Sequence, residues 1–414
     1  MRTLSKWIGL VLLVVVMAVG ALAAYIQVTG IPRYAPGRVT LAVEATPARV
    51  ERGRTIARSL CAECHMNPTT GQLTGKLMSE APPEFGPIVS RNITQDRTHG
   101  IGDWTDGELV YVLRTGVTRD GRYLPPPMPK LVHMSDEDLA SVVAFLRSDD
   151  PLVQPAAVDP PGRSQPSFLI KFLTHVAFTP EKYPTAPIPD PPAGDQVALG
   201  RYINTSFDCY ACHSADFTKM DIAEPEKSAG FMGGGNTVID IAGRPVRTAN
   251  LTMDPETGIG AWTEEQFVRT LRSGIRPDGR PLRYPMVPQV EFTDRELSAV
   301  YAYLKTVPVI RNDVPRNFDP PVEADAGEGQ TLYYHYQCVS CHGDTGVGIG
   351  DLRQSRVHYP SDQQLELWIR DAPSIKPHTK MPKWDGVIKD SEFPAIIAYV
   401  RELGDRARKE GAVR

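Results

Sequence analysis

Six cysteines stand in three pairs, and each pair is separated by two residues and followed at once by a histidine. The motifs read Cys61-Ala62-Glu63-Cys64-His65, Cys209-Tyr210-Ala211-Cys212-His213 and Cys338-Val339-Ser340-Cys341-His342. This spacing is typical of c-type haem attachment, in which two thiols form thioethers with the haem vinyl groups and the histidine reaches the iron. The sequence therefore predicts three covalently bound haem c groups, one at each motif.

Three other uses of paired cysteines fit this pattern less well. Exported proteins use even numbers of cysteines for disulfides, but a disulfide needs no histidine directly after each pair. A thioredoxin-like redox motif occurs once, beside a βαβ pattern that is absent here. A structural zinc ion needs two such pairs around one tetrahedral site. Because the three motifs together use all six cysteines, the pattern favours haem attachment.

The first two motifs belong to an internal repeat with an offset of 158 residues. The matching strings are Asn92-Ile93-Thr94 with Asn250-Leu251-Thr252, Gly100–Thr105 with Gly258–Thr263, Asp120-Gly121-Arg122 with Asp278-Gly279-Arg280, and Met128 with Met286. The haem motifs themselves are offset by 148, so the second repeat carries ten extra residues before Asn250, including the glycine-rich string Phe231–Gly235. A third unit is shorter and more divergent but keeps the order of signals.

Each unit should contain a middle helix and a terminal helix. Middle helices are predicted from capping-box pairs followed by apolar residues at helical spacing; the pairs are Thr105/Glu108, Thr263/Gln266 and Ser361/Gln364. Terminal helices are predicted after Ser135, Thr293 and Ser391. The helix before each haem motif carries one glycine, Gly53, Gly200 or Gly329, which we expect to allow close crossing with the terminal helix.

A methionine next to proline follows each middle helix, at Met128, Met286 and Met381. Proline fixes φ and biases its predecessor towards extended backbone, so these segments should run as straps and not as helices. A methionine thioether opposite the motif histidine gives the His/Met ligation of cytochromes c. We therefore expect the iron ligands to be His65 with Met128, His213 with Met286, and His342 with Met381.

Other histidines are rival iron ligands, and methionines also fill gaps in apolar cores. The remaining candidates are His99, His133, His175, His335, His358 and His378. Of these, His133 and His378 lie near a methionine of the set and are the first alternatives to it.

The N-terminus is apolar from Trp7 to about Ile26, after the basic residues Arg2 and Lys6. About 20 such residues cross a bilayer, and the basic end should stay in the cytoplasm. The alternative is a cleaved signal peptide ending near Ala21-Leu22-Ala23. The net charge of −4 over 414 residues leaves no basic surface of the kind that nucleic acids require.

From the haem motifs to the closing helices, about residues 48–405, the chain resembles a known family. It is similar to the three-haem cytochrome c subunits of bacterial membrane-bound alcohol, aldehyde and sugar-acid dehydrogenases, and to related subunits that serve molybdenum hydroxylases. The resemblance is specific in the first two units, while the third resembles a single-haem cytochrome c domain more generally. It implies that a separate catalytic subunit oxidises a substrate and delivers electrons to these haems, which pass them to quinone or a terminal oxidase.

We therefore expect an all-α protein with an N-terminal transmembrane anchor or signal segment (1–30). Three tandem cytochrome c-type one-haem domains follow at 48–150, 193–307 and 323–405, joined by proline-rich linkers at 151–192 and 308–322. The apolar cluster Phe168–Leu173 in the first linker lies either on the membrane or between domains.

The expected protein is an electron-transfer subunit and not an enzyme, held on the inner membrane with its haem domains in the periplasm. An enzyme of the dihaem peroxidase type, with an open haem site, is the main alternative, although three methionines in ligand positions argue against it. A haem-based sensor is a third possibility, but no signalling domain is visible.

Overall fold

A computed structural model describes residues 2–79, 81–315 and 327–411, and this part of the chain is rich in helices. The end of the second linker and the start of the third predicted domain, within 316–326, lie outside the described residues. The α-helices are α1 (Arg2–Thr29), α2 (Pro47–Ile56), α3 (Ala62–His65), α4 (Asp106–Thr115), α5 (Asp136–Leu146), α6 (Phe168–Val176), α7 (Gln196–Ser206), α8 (Cys209–His213), α9 (Glu264–Ser273), α10 (Asp294–Leu304), α11 (Glu328–His335), α12 (Cys338–His342), α13 (Ser355–His358), α14 (Asp362–Ile375) and α15 (Phe393–Lys409). Shorter turns are a π-helical turn, Ala57–Cys61, and 3-10 turns at Pro83–Phe85, Phe217–Lys219, Pro225–Lys227 and Leu352–Gln354.

The expectation of an all-α fold is correct only in part, because the second unit contains a small β-hairpin. Strand β1 (Thr237–Ile239) pairs antiparallel with β2 (Pro245–Arg247), and Val238 stands opposite Val246. The hairpin turn contains Gly243 with φ 79°, a conformation that glycine adopts without a steric penalty. It follows the glycine-rich string of the second repeat, in the stretch where that repeat is longer than the first.

Three helix pairs cross closely where glycines were predicted to allow it. A Cβ atom at Gly53 would lie 1.8 Å from the backbone oxygen of Ser141 in α5, and one at Gly200 would lie 1.9 Å from that of Ala299 in α10. In the third unit, a Cβ at Gly329 would lie 2.2 Å from the oxygen of Ala395 in α15. The prediction is confirmed, since only a residue without a side chain fits at these crossings.

The predicted middle helices α4, α9 and α14 are present, and each begins with the reciprocal side-chain and backbone bonds of a capping box. The terminal helices α5, α10 and α15 are also present. Ser135 and Thr293 cap the first two of them, but α15 begins at Phe393 after Glu392, so Ser391 is not its cap. Helix α14 is interrupted at Asp371, two residues before Pro373, because proline does not fit a helix interior.

Separate hydrophobic cores lie within residues 56–153, 203–307 and 333–403. Each core is closed by the crossing of two helices, which are α2 with α5, α7 with α10, and α11 with α15. The helix that leads into each Cys-x-x-Cys-His motif is therefore fixed against the last helix of its own unit. This arrangement holds the three motifs on rigid supports.

Helix α1 includes a stretch, Lys6–Thr29, that is long and apolar enough to cross a membrane. None of the apolar 18-residue segment within this stretch is buried inside the protein. A signal sequence near an N-terminus has a similar length and apolar composition. The last turns of α1 contact α6, the helix formed by the apolar cluster of the first linker. Lys171 Nζ donates to Gln27 Oε1 at 3.2 Å, and the His175 ring meets Tyr25 edge to face.

Candidate haem-binding sites

Each Cys-x-x-Cys-His motif forms one helical turn, and its start differs between units. Asp208 and Gln337 precede the second and third motifs with φ 55°, a left-handed conformation that separates each motif from the helix before it. In the first unit the π-helical turn Ala57–Cys61 instead continues α2 directly into the motif. All three local structures leave the cysteines three positions apart, on one side of a turn.

The paired thiols are not joined in disulfides, so they are available for thioether bonds. Burial raises the pKa of Cys61, Cys209 and Cys338 to about 12, and that of Cys212 and Cys341 to about 11. These thiols are consequently neutral, and Cys61 and Cys338 pack against hydrophobic cores. Such surroundings suit the attachment of a large apolar ring.

The three motif histidines are oriented by backbone carbonyls. The Nδ1 atom of His65 lies 2.6 Å from the oxygen of Arg91, and that of His213 lies 2.9 Å from the oxygen of Ala249. In the third unit, His342 Nδ1 lies 3.4 Å from the oxygen of Gly350. Desolvation lowers the pKa of all three rings, which favours neutral imidazole. A proton on Nδ1 leaves the Nε2 lone pair for a metal.

The repeated Asn-x-Thr strings explain how those carbonyls are held. Asn92 is buried; its side-chain amide donates to the oxygens of Ala156 and Val158, and its oxygen accepts from Thr94. Asn250 makes the equivalent bonds to Ile310 and Thr252 in the second unit. The residue just before each asparagine supplies the carbonyl that faces the histidine. The repeat therefore preserves a support for the motif histidine.

The three methionines lie on non-helical straps, as predicted, and all are partly buried. Met128 packs against the same hydrophobic core as Cys61, and Met381 packs against the same core as Cys338. The straps of the first two units also share a cis peptide, before Pro127 and before Pro285. In the first unit and again in the third, the methionine therefore packs against the same core as the first cysteine of the motif.

One arginine in each unit holds the segment that follows the methionine, and sequence reasoning missed it. Arg114 donates to the oxygens of Leu131 and Met134 at 2.5 and 2.6 Å, and to Asp136 at 2.8 Å. Arg272 donates in the same way to Val290, Phe292 and Asp294. Arg370 contacts Asp385 and Asp390, and its backbone oxygen accepts from Trp384. All three stand nine residues after the N-cap of the middle helix, which is the signal that would have found them.

The rival histidines have other partners. The Nε2 atom of His133 lies 2.6 Å from the backbone oxygen of Ile222, and His378 Nδ1 lies 3.0 Å from a Glu291 carboxylate oxygen. His99 pairs with Asp96, and His175 contacts the end of α1. His335 and His358 each stack edge to face with the tyrosine that follows them.

These residues fit the haem that the motifs imply. Each unit supplies two thiols outside any disulfide, a histidine with its Nδ1 atom already oriented, and a partly buried methionine on a strap. Within the described residues, no group of three or more His, Cys, Asp or Glu side chains surrounds a common metal position.

Comparison with known families gives a match in two parts of the chain. Residues 48–146 and 324–400 match the family described as cytochrome c oxidase, cbb3-type, subunit III. These ranges contain the first and third Cys-x-x-Cys-His motifs. These two ranges are therefore similar to cytochrome c domains of that family.

Several curated proteins are similar over most of the chain. The alcohol dehydrogenase (quinone) cytochrome c subunit of Gluconobacter oxydans is 29% identical over 87% of this chain and 80% of its own length. The fructose dehydrogenase cytochrome subunit of Gluconobacter japonicus is 28% identical over 77% and 68%. The gluconate 2-dehydrogenase cytochrome c subunit of Pantoea cypripedii is 28% identical over 77% and 74%. The resemblance inferred from the sequence is confirmed.

Proposed function

Since the chain is a homologue of cytochrome c subunits of bacterial dehydrogenases, we propose that it is the electron-transfer subunit of a dehydrogenase complex and carries three haem c groups. The observation that carries the proposal is the threefold Cys-x-x-Cys-His turn. In each copy the histidine Nδ1 atom faces a backbone carbonyl. Bound haem supplies one-electron exchange between ferrous and ferric iron.

The residues of this chain would attach, ligate and shield those groups. Thioethers would form at Cys61 and Cys64, Cys209 and Cys212, and Cys338 and Cys341. The axial pairs would be His65 with Met128, His213 with Met286, and His342 with Met381. Methionine as the second ligand raises the reduction potential, and an apolar core around the ring favours the less charged ferrous form. The corresponding domains would span 48–150, 193–307 and 323–405.

Filled coordination would confine the chain to electron relay. An iron with both axial positions occupied offers no open position for peroxide, so catalysis would belong to the partner subunit. The arginines of the first two units support this reading, because they donate to the chain's own backbone carbonyls and so hold the segments that follow Met128 and Met286.

Helix α1 would anchor the protein in the inner membrane with the haem domains in the periplasm. Arg2 and Lys6 precede the apolar span and would remain in the cytoplasm. At the opposite end, α6 packs beside Tyr25 and exposes Phe168 and Leu169 by 45% and 42%. A helix with exposed aromatic and aliphatic side chains next to the end of a spanning helix suits the membrane surface. This position would bring the first unit close to a quinone or a terminal oxidase as acceptor.

The function is tested by purifying the full chain from source membranes through a C-terminal tag and identifying the subunit that copurifies. Ethanol, fructose and gluconate would each be added to the oxidised complex while the ferrous haem absorption is followed. We expect one substrate to reduce the haems only when the second subunit is present.

The same preparation distinguishes the peroxidase alternative. Purified chain without its partner should not reduce hydrogen peroxide at about 1 s⁻¹ or faster, a lower bound for ordinary enzymes. Peroxide turnover at such a rate, together with one high-spin haem, would replace the relay proposal with the enzyme.

A further inference from the structure

The attachment turn of the first unit touches the ligand strap of the third. Glu63 stands between Cys61 and Cys64, and its carboxylate lies 3.0 Å from the Nζ atom of Lys380. Lys380 directly precedes Met381. The two segments are more than 300 residues apart in sequence, so this contact reflects the packing of whole units against each other.

The attachment turns of the other two units are also contacted by residues from a neighbouring unit. Phe207, just before the second motif, packs against the core of the first unit. Beside it, Asp208 interacts electrostatically with Lys130, whose Nζ atom donates to the oxygen of Met128 at 2.8 Å. In the third unit, Asp344 follows the motif and accepts from Arg244 of the β-hairpin at 3.3 Å. Each turn is thus contacted by a different unit.

The strap of the third unit is fixed from the second unit as well. His378 Nδ1 lies 3.0 Å from Glu291, whose side chain is only 5% exposed. Ile275 of the second unit packs against the same core as Met381. The strap around Met381 therefore lies where all three units meet.

We propose that the three haem sites form a closed ring, in which the third site exchanges electrons directly with the first. The inference rests on the proposed function, because it concerns haems held at these motifs. With haem bound, one electron would leave the ferrous third site, which would be oxidised, and enter the ferric first site, which would be reduced. No proton moves and no bond is made or broken. The second site then joins the ring as an alternative route, not as an obligatory one.

The contact itself is tested by carbodiimide coupling of the full haem-loaded chain in detergent, followed by peptide mass spectrometry. This reagent joins a carboxylate to a lysine only when the two already touch. We expect an amide between Glu63 and Lys380, and another between Asp371 and Lys383, which lie 2.7 Å apart within the third unit. Lys380→Arg keeps the charge but should lose the first amide alone.

Formation of the Asp371–Lys383 amide without the Glu63–Lys380 amide would overturn the ring. This result does not depend on whether the haems carry electrons for a dehydrogenase. Failure of the proposed function would instead appear as missing covalent haem or as absent electron transfer.

The route is tested with Met286→His, which should lower the potential of the second site because His/His ligation lacks the effect of methionine. Exchange between the third and first sites would be followed after a photoreductant pulse by freeze-quench electron paramagnetic resonance. Direct exchange predicts an unchanged rate. A rate that falls about tenfold or more, as expected when an intermediate is raised in energy, would contradict the proposal.

Discussion

Replacing Arg114 by methionine tests whether the strap of the first unit depends on the buried guanidinium. The side chain is 1% exposed and satisfies the carbonyls of Leu131 and Met134 and the carboxylate of Asp136. Methionine has a similar length but donates no hydrogen bond, so the buried Met134 carbonyl would lose its donor and the Leu131 carbonyl would keep only the 3.4 Å bond from the Met134 amide. We expect this to release the segment that follows Met128.

The size of the effect follows from burial. Each unsatisfied buried carbonyl costs about 1–3 kcal/mol, and part of this is offset because burying a charge is itself unfavourable. We expect Arg114→Met to lower the free energy of unfolding of the first unit by about 2–4 kcal/mol. Arg272 is 35% exposed and makes the equivalent bonds, so water can replace part of them and Arg272→Met should cost about 1–2 kcal/mol.

The assay combines urea unfolding with the ferric absorption spectrum, in which the methionine–iron band reports the second ligand. Arg119→Met is the matched control, because Arg119 lies on an exposed turn of the same unit, donates to the Asp103 oxygen and lies over the Trp104 ring. Loss of these exposed contacts should change stability by no more than about 1 kcal/mol. If Arg114→Met unfolded at the same urea concentration as this control and kept the methionine band, the assigned role of the arginine would be refuted.

Three further predictions concern the ligands and their supports. Met286→Ala should leave haem attachment intact but convert one haem to a high-spin or ligand-exchanged form of lower potential; an unchanged ferric spectrum would exclude this ligand. Gly329→Ala should destabilise the third unit by about 1–3 kcal/mol, measured by calorimetry, whereas Gly327→Ala at the N-cap of the same helix meets open space and should cost less than about 1 kcal/mol. Asn250→Ala should release the carbonyl that faces His213 and raise the potential of the second haem, because a histidine without this acceptor is a weaker electron donor to iron; an unaltered redox titration would remove its supporting role.

Local sequence signals predicted the helices and their crossings, because each depends on residues close together in the chain. Capping boxes fix where α4, α9 and α14 begin, and a single glycine determines where two helices can approach. The order of motif, middle helix, strap and terminal helix is set in the same way. These features could be predicted because their causes are periodicity and backbone sterics.

Features that depend on distant partners were not predicted. In the sequence Arg114 looks like an ordinary helix residue, because its hydrogen-bond acceptors, Leu131 and Met134, lie 17 and 20 residues further along the chain. The contact between Glu63 and Lys380 joins two units, and no periodic pattern of residue types in the sequence indicates it. The hairpin was missed because its strands are only three residues long and lie in the stretch that lacks a counterpart in the first repeat.

The most direct test of the central claim is the number of haems bound covalently to one chain. Intact-protein mass spectrometry after acid–acetone extraction would measure it, since extraction removes haem that is not joined by thioethers. Three motifs with both thiols and a histidine predict that the colour stays on the polypeptide and that the mass increases by three haem groups. A smaller increase would contradict the account for at least one unit, and loss of all colour would contradict it entirely.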